Sequence, residues 1–320
     1  MSLWSTRAIA SLAALAVVGS ACGSDDAATP STTTPNIVAT TTIWADVVGN
    51  VACNGLADVE TIVPPGGDPH SFEPSLKDRE TMGNATLVVA NGLGLEESMT
   101  DVIDAVESDG VPIVRVGEFV DTIPAGDQHT DDAGTDSGTE DDHGADDPHI
   151  WFDPTRVSSG LPAIADALAI AGLDRTALDA CVSDFTDRLA SLDVDVSSTV
   201  ASLPVDERLL VTNHDSLSYF ADRYDFEILG SVIPSPSSLS ATNPAALEAL
   251  AATIEETGVP AIFAETQHSS ADTQALADRV GDVAVVTLQT GTLGPAGSET
   301  ATYIDWLATT ARTIVTALSA

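Results

Sequence analysis

Lysine is almost missing from this chain of 320 residues: Lys77 is the only one, and lysine and arginine together number 11 against 49 acids, a net charge of −38. A surface of that sign repels phosphate, which excludes nucleic acid as a partner and electrostatic attachment to anionic lipid. Long apolar runs are also missing. The one candidate, Ala8 to Val18 after Arg7, is too short to span a bilayer. There is no HExxH pattern of a compact metalloprotease, and the three cysteines lie too far apart to give the close pair of a zinc finger. Tight hairpin signals between the apolar runs are absent as well, which argues against antiparallel meanders. Only three cysteines occur.

The apolar stretch after Arg7, followed by small residues up to Cys22, reads as a secretory signal over residues 1–22. Cys22 stands where a lipoprotein signal peptidase cuts, with Ser20 and Ala21 before it and Gly23, Ser24 and Asp25 after it. Gly19 replaces the usual branched residue upstream, so ordinary signal cleavage is the alternative. Residues 23–35, rich in Ser, Thr, Ala and Pro, form a tether that cannot build a core. The folded part is expected from Asn36. Cys53 and Cys181 then remain, an even pair in an exported protein, and a disulfide between them is expected.

With 43% hydrophobic residues, a chain of this length supports two cores. Apolar strand-like runs at 36–43, 57–63, 86–91 and 111–116 alternate with helical patterns near 44–52, 75–84 and 95–107. The rhythm returns with strands at 208–213, 226–232, 260–265 and 283–288 and helices at 215–224, 244–257, 271–280 and 300–319. These are βαβ units with parallel strands covered on both faces. Between them lie helices at 155–171 and about 176–202, the second carrying Leu178, Val182, Phe185, Leu189 and Leu192 on one stripe. The predicted fold is α/β: an N-terminal lobe over 36–172 and a C-terminal lobe over 204–320, each a mostly parallel four-stranded sheet with helices on both faces, joined by a long rigid linker helix over 173–203. A cleft between such lobes, at the carboxyl ends of the strands, is where a ligand binds. Residues 121–147 hold ten acids, His129 and His143, and neither lysine nor arginine. That composition predicts a mobile acidic insertion rather than a packed segment.

Three other histidines sit in loops beside the strand-like runs: His70 in GGDPHSFEP, His149 in DDPHIWFDP and His214 in VTNHDSLSY. Imidazole is the commonest ligand for zinc and related metals. Spacings of 79 and 65 residues mean that only folding can bring the three together. Asp68-Pro69-His70 and Asp147-Pro148-His149 repeat one tripeptide, in which proline stiffens the turn and the acid can accept the second ring N–H. Each histidine taken alone is more simply a polar surface group, and His214 alone is undecidable. The repeated context reverses that.

PPGGDPHSFEPS, DPHIWFDP, TNHDSLSYFADRYDFE, IFAETQHSS, TLGPAGSETATYIDWL and TTTIWADVV resemble the metal-binding family of ABC-transporter solute-binding proteins, the branch serving zinc and manganese uptake. The resemblance runs from about Asn36 to Ala320. It implies two α/β lobes linked by a rigid helix, with His70, His149 and His214 as metal ligands. Histidine at the third position implies a zinc-type member, with manganese or iron as the alternative, and imidazole-rich sites suit zinc where manganese prefers oxygen. An aspartate supplies the fourth ligand in many members, but Gly291 stands there. Glu265, as ligand or outer-shell acid, His268, a residue of the acidic segment, or water are the candidates. The acidic segment with His129 and His143 resembles the histidine-containing loop of zinc-type members, an auxiliary zinc-capturing element. The implied partners are a membrane permease and the metal ion, with Zn2+ first and Mn2+ second, for a monomer exported to the outer face of the cytoplasmic membrane on a lipid anchor, or to the periplasm. A secreted zinc hydrolase is the rival from another class, since three histidines with an open position also make catalytic zinc, with Glu265 as its base.

Overall fold

The computed structural model describes residues 34–125, 146–267 and 269–320. The segment expected to be a signal, with Cys22, the expected tether as far as Thr33, His129, His143 and His268 lie outside the described residues.

Two four-stranded parallel sheets organise the rest. The first comprises β1 (Asn36–Ala39), β2 (Asp58–Thr61), β3 (Leu87–Ala90) and β4 (Ile113–Arg115), in the order β2-β1-β3-β4. The second comprises β5 (Leu209–His214), β6 (Glu227–Ile233), β7 (Ala261–Glu265) and β8 (Ala284–Leu288), in the order β6-β5-β7-β8. The chain thus winds the same topology twice, as its repeated rhythm predicts. β3 and β7 are buried at every position, which is why LVVA and AIFAE read as unbroken apolar runs instead of alternating ones.

Helix starts follow local side-chain chemistry. Thr41 caps α1 (Thr42–Val51) by accepting from the Trp44 amide, Ser75 and Asp78 form a capping box on α2 (Leu76–Gly83), and Asp153 with Pro154 opens α4 (Pro154–Ile170). Between them runs α3 (Thr100–Ser108). The linker is α5 (Arg175–Val200), 26 residues and so roughly 39 Å long. Its stripe of Leu178, Phe185, Leu189, Leu192, Val196 and Val200 is buried, and it packs on α1, α4 and α9 (Tyr303–Leu318). Because α1 and α4 belong to the first sheet's layers and α9 to the second's, one continuous apolar cluster runs under both sheets. Cys53 and Cys181 form the disulfide, tying the end of α1 to α5 at a Cα–Cα distance of 5.5 Å. The second lobe is completed by α6 (Ser218–Tyr224), α7 (Pro244–Thr257) and α8 (Ala271–Val280).

Three boundaries differ from the sequence reading. The strand expected over 36–43 stops at Ala39 because Thr41 turns to cap α1. The helix expected over 95–107 is a 3₁₀ turn at Glu97–Met99 followed by α3, since the Glu96 carboxylate points inward to Thr40 Oγ1 and the amides of Asn91 and Gly92. His214 is the last residue of β5, and α6 begins only at Ser218.

Candidate metal centre

Every strand-end loop that faces the cleft leaves a carboxyl end of a parallel sheet, the position at which open α/β sheets bind ligands. His70 follows β2, His149 ends the connection from β4 to α4, His214 closes β5, Glu265 closes β7, and Thr290 and Gly291 follow β8. His70, His149 and His214 converge there, each 2% exposed. Their Nε2 atoms stand 3.3 Å apart for His70 and His149 and 3.2 Å apart for His149 and His214. Among the described residues no cysteine, aspartate or glutamate joins this group of three.

The carboxylates behind the rings decide what those contacts are. Asp147 Oδ1 accepts from His149 Nδ1 at 2.7 Å, and Glu265 Oε2 accepts from His214 Nδ1 at 2.9 Å. With each Nδ1 turned toward a carboxylate, both rings aim Nε2 at the cleft, the orientation in which an imidazole holds a cation. Nitrogens about 2.0–2.1 Å from a tetrahedral zinc ion stand roughly 3.3–3.4 Å apart, so the observed spacing fits such an ion. The cavity they line, with Asp68, Pro69, Trp151, Gln267, Thr290 and Gly291, measures about 10 Å³, enough for about one water-sized occupant.

The loops themselves are built alike. Asp68 Oδ1 accepts the His70 amide and Asp147 Oδ1 accepts the His149 amide, so the repeated Asp-Pro-His tripeptide makes the same turn twice. Carbonyls of the His149 loop are held from three sides: Asp147 O by the Tyr219 hydroxyl at 2.7 Å, Pro148 O by Asn91 Nδ2 at 2.9 Å and Trp151 O by the Tyr303 hydroxyl at 2.8 Å. Tyr219 also accepts the Ile123 amide, and burial pushes its hydroxyl well above the ordinary tyrosine range, so it remains a donor. Ser238, in the loop after β6, reaches across the cleft to Asp68 Oδ2 at 2.9 Å. Burial alone would lower the His214 pKa, but the Glu265 carboxylate beside it, aided by Asp68 and Asp147, raises it above the ordinary value. Burial and the nearby Asp147 charge also raise the pKa of Asp215.

Glu265, weighed from the sequence as a fourth ligand, therefore sits on the rear nitrogen of His214, where it also accepts from Ser216 Oγ at 3.0 Å. Gly291 lies where part of the first lobe closes in: a Cβ there would meet Pro69 Cδ at 2.9 Å and Gln267 Nε2 at 3.1 Å. Sequence reasoning passed over Gln267, Thr290 and Tyr219. All three stand in or beside stretches already singled out, Gln267 in IFAETQHSS, Tyr219 in VTNHDSLSY and Thr290 next to Gly291, but nothing local gives them a role. The acidic segment leaves and re-enters through a stem, with Pro124 bridged to Asp146 and the Asp147 amide donating to Ile123 O at 2.8 Å.

Residues 37–317 match the family model of zinc-uptake complex component A, periplasmic. The chain belongs to that family. Its members are metal-binding solute-binding proteins of ABC importers, not enzymes, so the hydrolase reading falls away. Among relatives, the zinc-binding protein TroA of Treponema pallidum is 32% identical over 311 residues, 93% of each chain. The manganese-binding lipoprotein MntA of Halalkalibacterium halodurans is 26% identical over 307 residues, 95% of this chain and 96% of the relative. The solved structure of the periplasmic zinc-binding protein TroA superposes with a TM-score of 0.77 at 30% identity, covering 89% of this chain and 99% of the other. Family members thus divide between zinc and manganese, and the metal has to be argued from this chain's own site.

Proposed function

We propose that this protein captures Zn2+ outside the cytoplasm through His70, His149 and His214 and hands it to the membrane permease of an ABC importer. The observation that carries the metal choice is the donor set: three histidines whose ligand atoms cluster together, two of them backed by carboxylates behind the ring, with no carboxylate in the cluster itself among the described residues. Imidazole-rich sites favour zinc, whereas manganese favours oxygen donors. Glu265 acts from behind His214, as Asp147 does from behind His149, fixing the tautomer and strengthening the ligand. The protein acts as a monomer, tethered to the outer face of the membrane through a lipid on Cys22.

A second reading, manganese, is favoured by relatives named for that metal. Elemental analysis of protein purified without added metal, followed by competition between zinc and manganese for the metal-free chain, separates the two. Zinc at a stoichiometry near one, with retention after chelator dialysis abolished by His70→Ala or His214→Ala, is the expected result. Preferential retention of manganese overturns the zinc reading, and undiminished zinc in both variants overturns the ligand set. His129 and His143 provide weaker auxiliary capture. Because the segment carrying them leaves and returns through the stem beside His149, removing residues 126–145 leaves the tight site and deletes only the weak phase of the zinc titration.

A further inference from the structure

Glu96 is a buried carboxylate, 4% exposed, that lies outside the group of three histidines. It stands in the loop after β3, and its two oxygens take three donors. Oε1 accepts from Thr40 Oγ1 and from the Asn91 amide, both at 2.7 Å, and Oε2 accepts from the Gly92 amide at 3.1 Å. The loop it holds turns sharply: Gly92, Leu93 and Gly94 follow one another in the left-handed region, at φ of 78°, 57° and 78°. A leucine adopts that conformation only where its surroundings impose it. Both first-lobe histidines are gripped from this loop. At its start Asn91 Nδ2 donates at 2.9 Å to the carbonyl of Pro148, the residue before His149, while Asn91 Oδ1 accepts from Trp44 Nε1 at 3.0 Å. At its end the Ser98 amide donates to the carbonyl of His70 at 3.1 Å. The His70 and His149 turns, 79 residues apart in the chain, are thus fastened to the two ends of one short loop, residues 91–98, and Glu96 closes it. The second lobe, wound with the same topology, has an acid in the corresponding place: Glu265 ends β7 as Glu96 follows β3, and accepts from Ser216 as Glu96 accepts from Thr40.

We propose that Glu96 is a positioning residue for the metal site: its carboxylate sets the loop that carries Asn91 and Ser98, and through that loop the placement of His70 relative to His149. The proposal rests on the assignment of those histidines as ligands and adds the group that holds two of them in register. The role needs a carboxylate. Three donors converge on it, and a carboxylate offers acceptors alone, whereas a glutamine of the same shape turns an NH2 toward one of them and replaces a bond with a repulsion. The turn then relaxes, and the contacts to Pro148 O and His70 O move with it. Metal–ligand distances hold to within about 0.2 Å, so a small shift between the two turns is enough to weaken the site.

Three measurements on the whole protein test this: zinc affinity by competition with a chromophoric chelator, stopped-flow transfer of zinc to that chelator, and the visible bands of the protein loaded with cobalt(II). Glu96→Gln is expected to weaken zinc by about tenfold, the lower end of what groups behind a metal's ligands contribute, to speed its release and to shift the cobalt bands. Asn91→Ala, which cuts the link to Pro148, gives a loss of the same order, and the double variant loses no more than the larger single one because both act along one path. Thr40→Val removes one donor and leaves the acid in place, so it speeds release less, and Thr40→Ser, which restores the hydroxyl, recovers most of that change. Ile254→Ala, a core truncation in α7 of the second lobe where Ile254 is 1% exposed, lowers the melting temperature and leaves zinc affinity and the cobalt bands unchanged, which controls for loss of stability alone. Should Glu96→Gln fail to fold, the Thr40 pair decides. Zinc affinity, release and cobalt bands that are the same in Glu96→Gln and Thr40→Val as in Ile254→Ala overturn this inference, while loss of zinc in His70→Ala keeps the ligand set standing. Undiminished zinc in His70→Ala fails the ligand set itself.

Discussion

Replacing Glu265 by glutamine keeps the shape of the acid behind His214 and removes its charge, and two opposed effects on zinc binding follow. The pair is 2% and 3% exposed at a separation of 2.9 Å, so solvent screens it little. A carboxylate outside the ligand shell contributes about 10–100-fold in metal affinity, or roughly 1.4–2.7 kcal/mol. At the alkaline end of the titration, where proton competition is weakest, Glu265→Gln is therefore expected to weaken zinc by that factor. The pH profile moves the other way. In the metal-free protein the His214 pKa is raised, burial opposing the charge but Glu265 more than offsetting it. A raised pKa means that the protonated ring is favoured in the folded state: its stabilising contribution is complete below about 6.5, the unfolded value, and is lost as pH rises through the higher folded value. The same proton competes with zinc, so wild-type affinity begins to fall at a pH above 6.5. In Glu265→Gln only the smaller pull of Asp68 and Asp147 opposes burial, and the fall begins at a lower pH. Zinc dissociation constants measured with a competing chelator from pH 5 to 8.5 test both effects together. An unchanged pH midpoint refutes the outer-shell assignment, and so does a cobalt spectrum missing one ligand, since Glu265 would then be bound to the ion directly.

Two further outcomes are expected elsewhere in the molecule. The Cys53–Cys181 disulfide closes a separation of 128 residues, for which chain entropy gives about 5 kcal/mol and about 2–5 kcal/mol is usual on removal. The double serine variant should melt on the order of 5–15 °C lower while still binding one zinc, as read by calorimetry with and without the metal. Tyr219→Phe removes the donor to Asp147 O and the acceptor of the Ile123 amide, a loss of about 1–3 kcal/mol. Stopped-flow transfer of zinc to a chelator should show faster release from this variant than from wild type, and unchanged release would mean that the hydroxyl holds the fold without holding His149.

The two lobes were legible because each repeats a βαβ rhythm whose strands are buried on both faces, so LVVA and AIFAE announce themselves as apolar runs. Helix starts were legible where a capping side chain precedes proline, as at Asn243 and Pro244 before α7. The split of the helix expected at 95–107 was hidden, because it depends on Glu96 finding Thr40, 56 residues away. In the site, the repeated Asp-Pro-His tripeptide pointed to His70 and His149, while Glu265 could be named but not given its side of the ring. Whether a carboxylate at the end of β7 faces the ion or the far nitrogen of His214 depends on how β5 and β7 pair, a long-range register that no local pattern contains.

The sequence by itself determined the donors and their chemistry: three imidazoles, two of them in the same stiff turn, a glycine where a carboxylate was expected, and a charge that draws cations and turns away phosphate. Those follow from residue type and from backbone limits within a few positions. Only the tertiary structure decided that the His149 Nε2 meets those of His70 and His214 at 3.3 and 3.2 Å, that Asp147 and Glu265 stand behind the rings, and that residues of both lobes line the cavity around them. Each of those facts joins residues on different strands or different lobes, and such contacts come from packing two sheets against one long helix rather than from any stretch of chain taken alone.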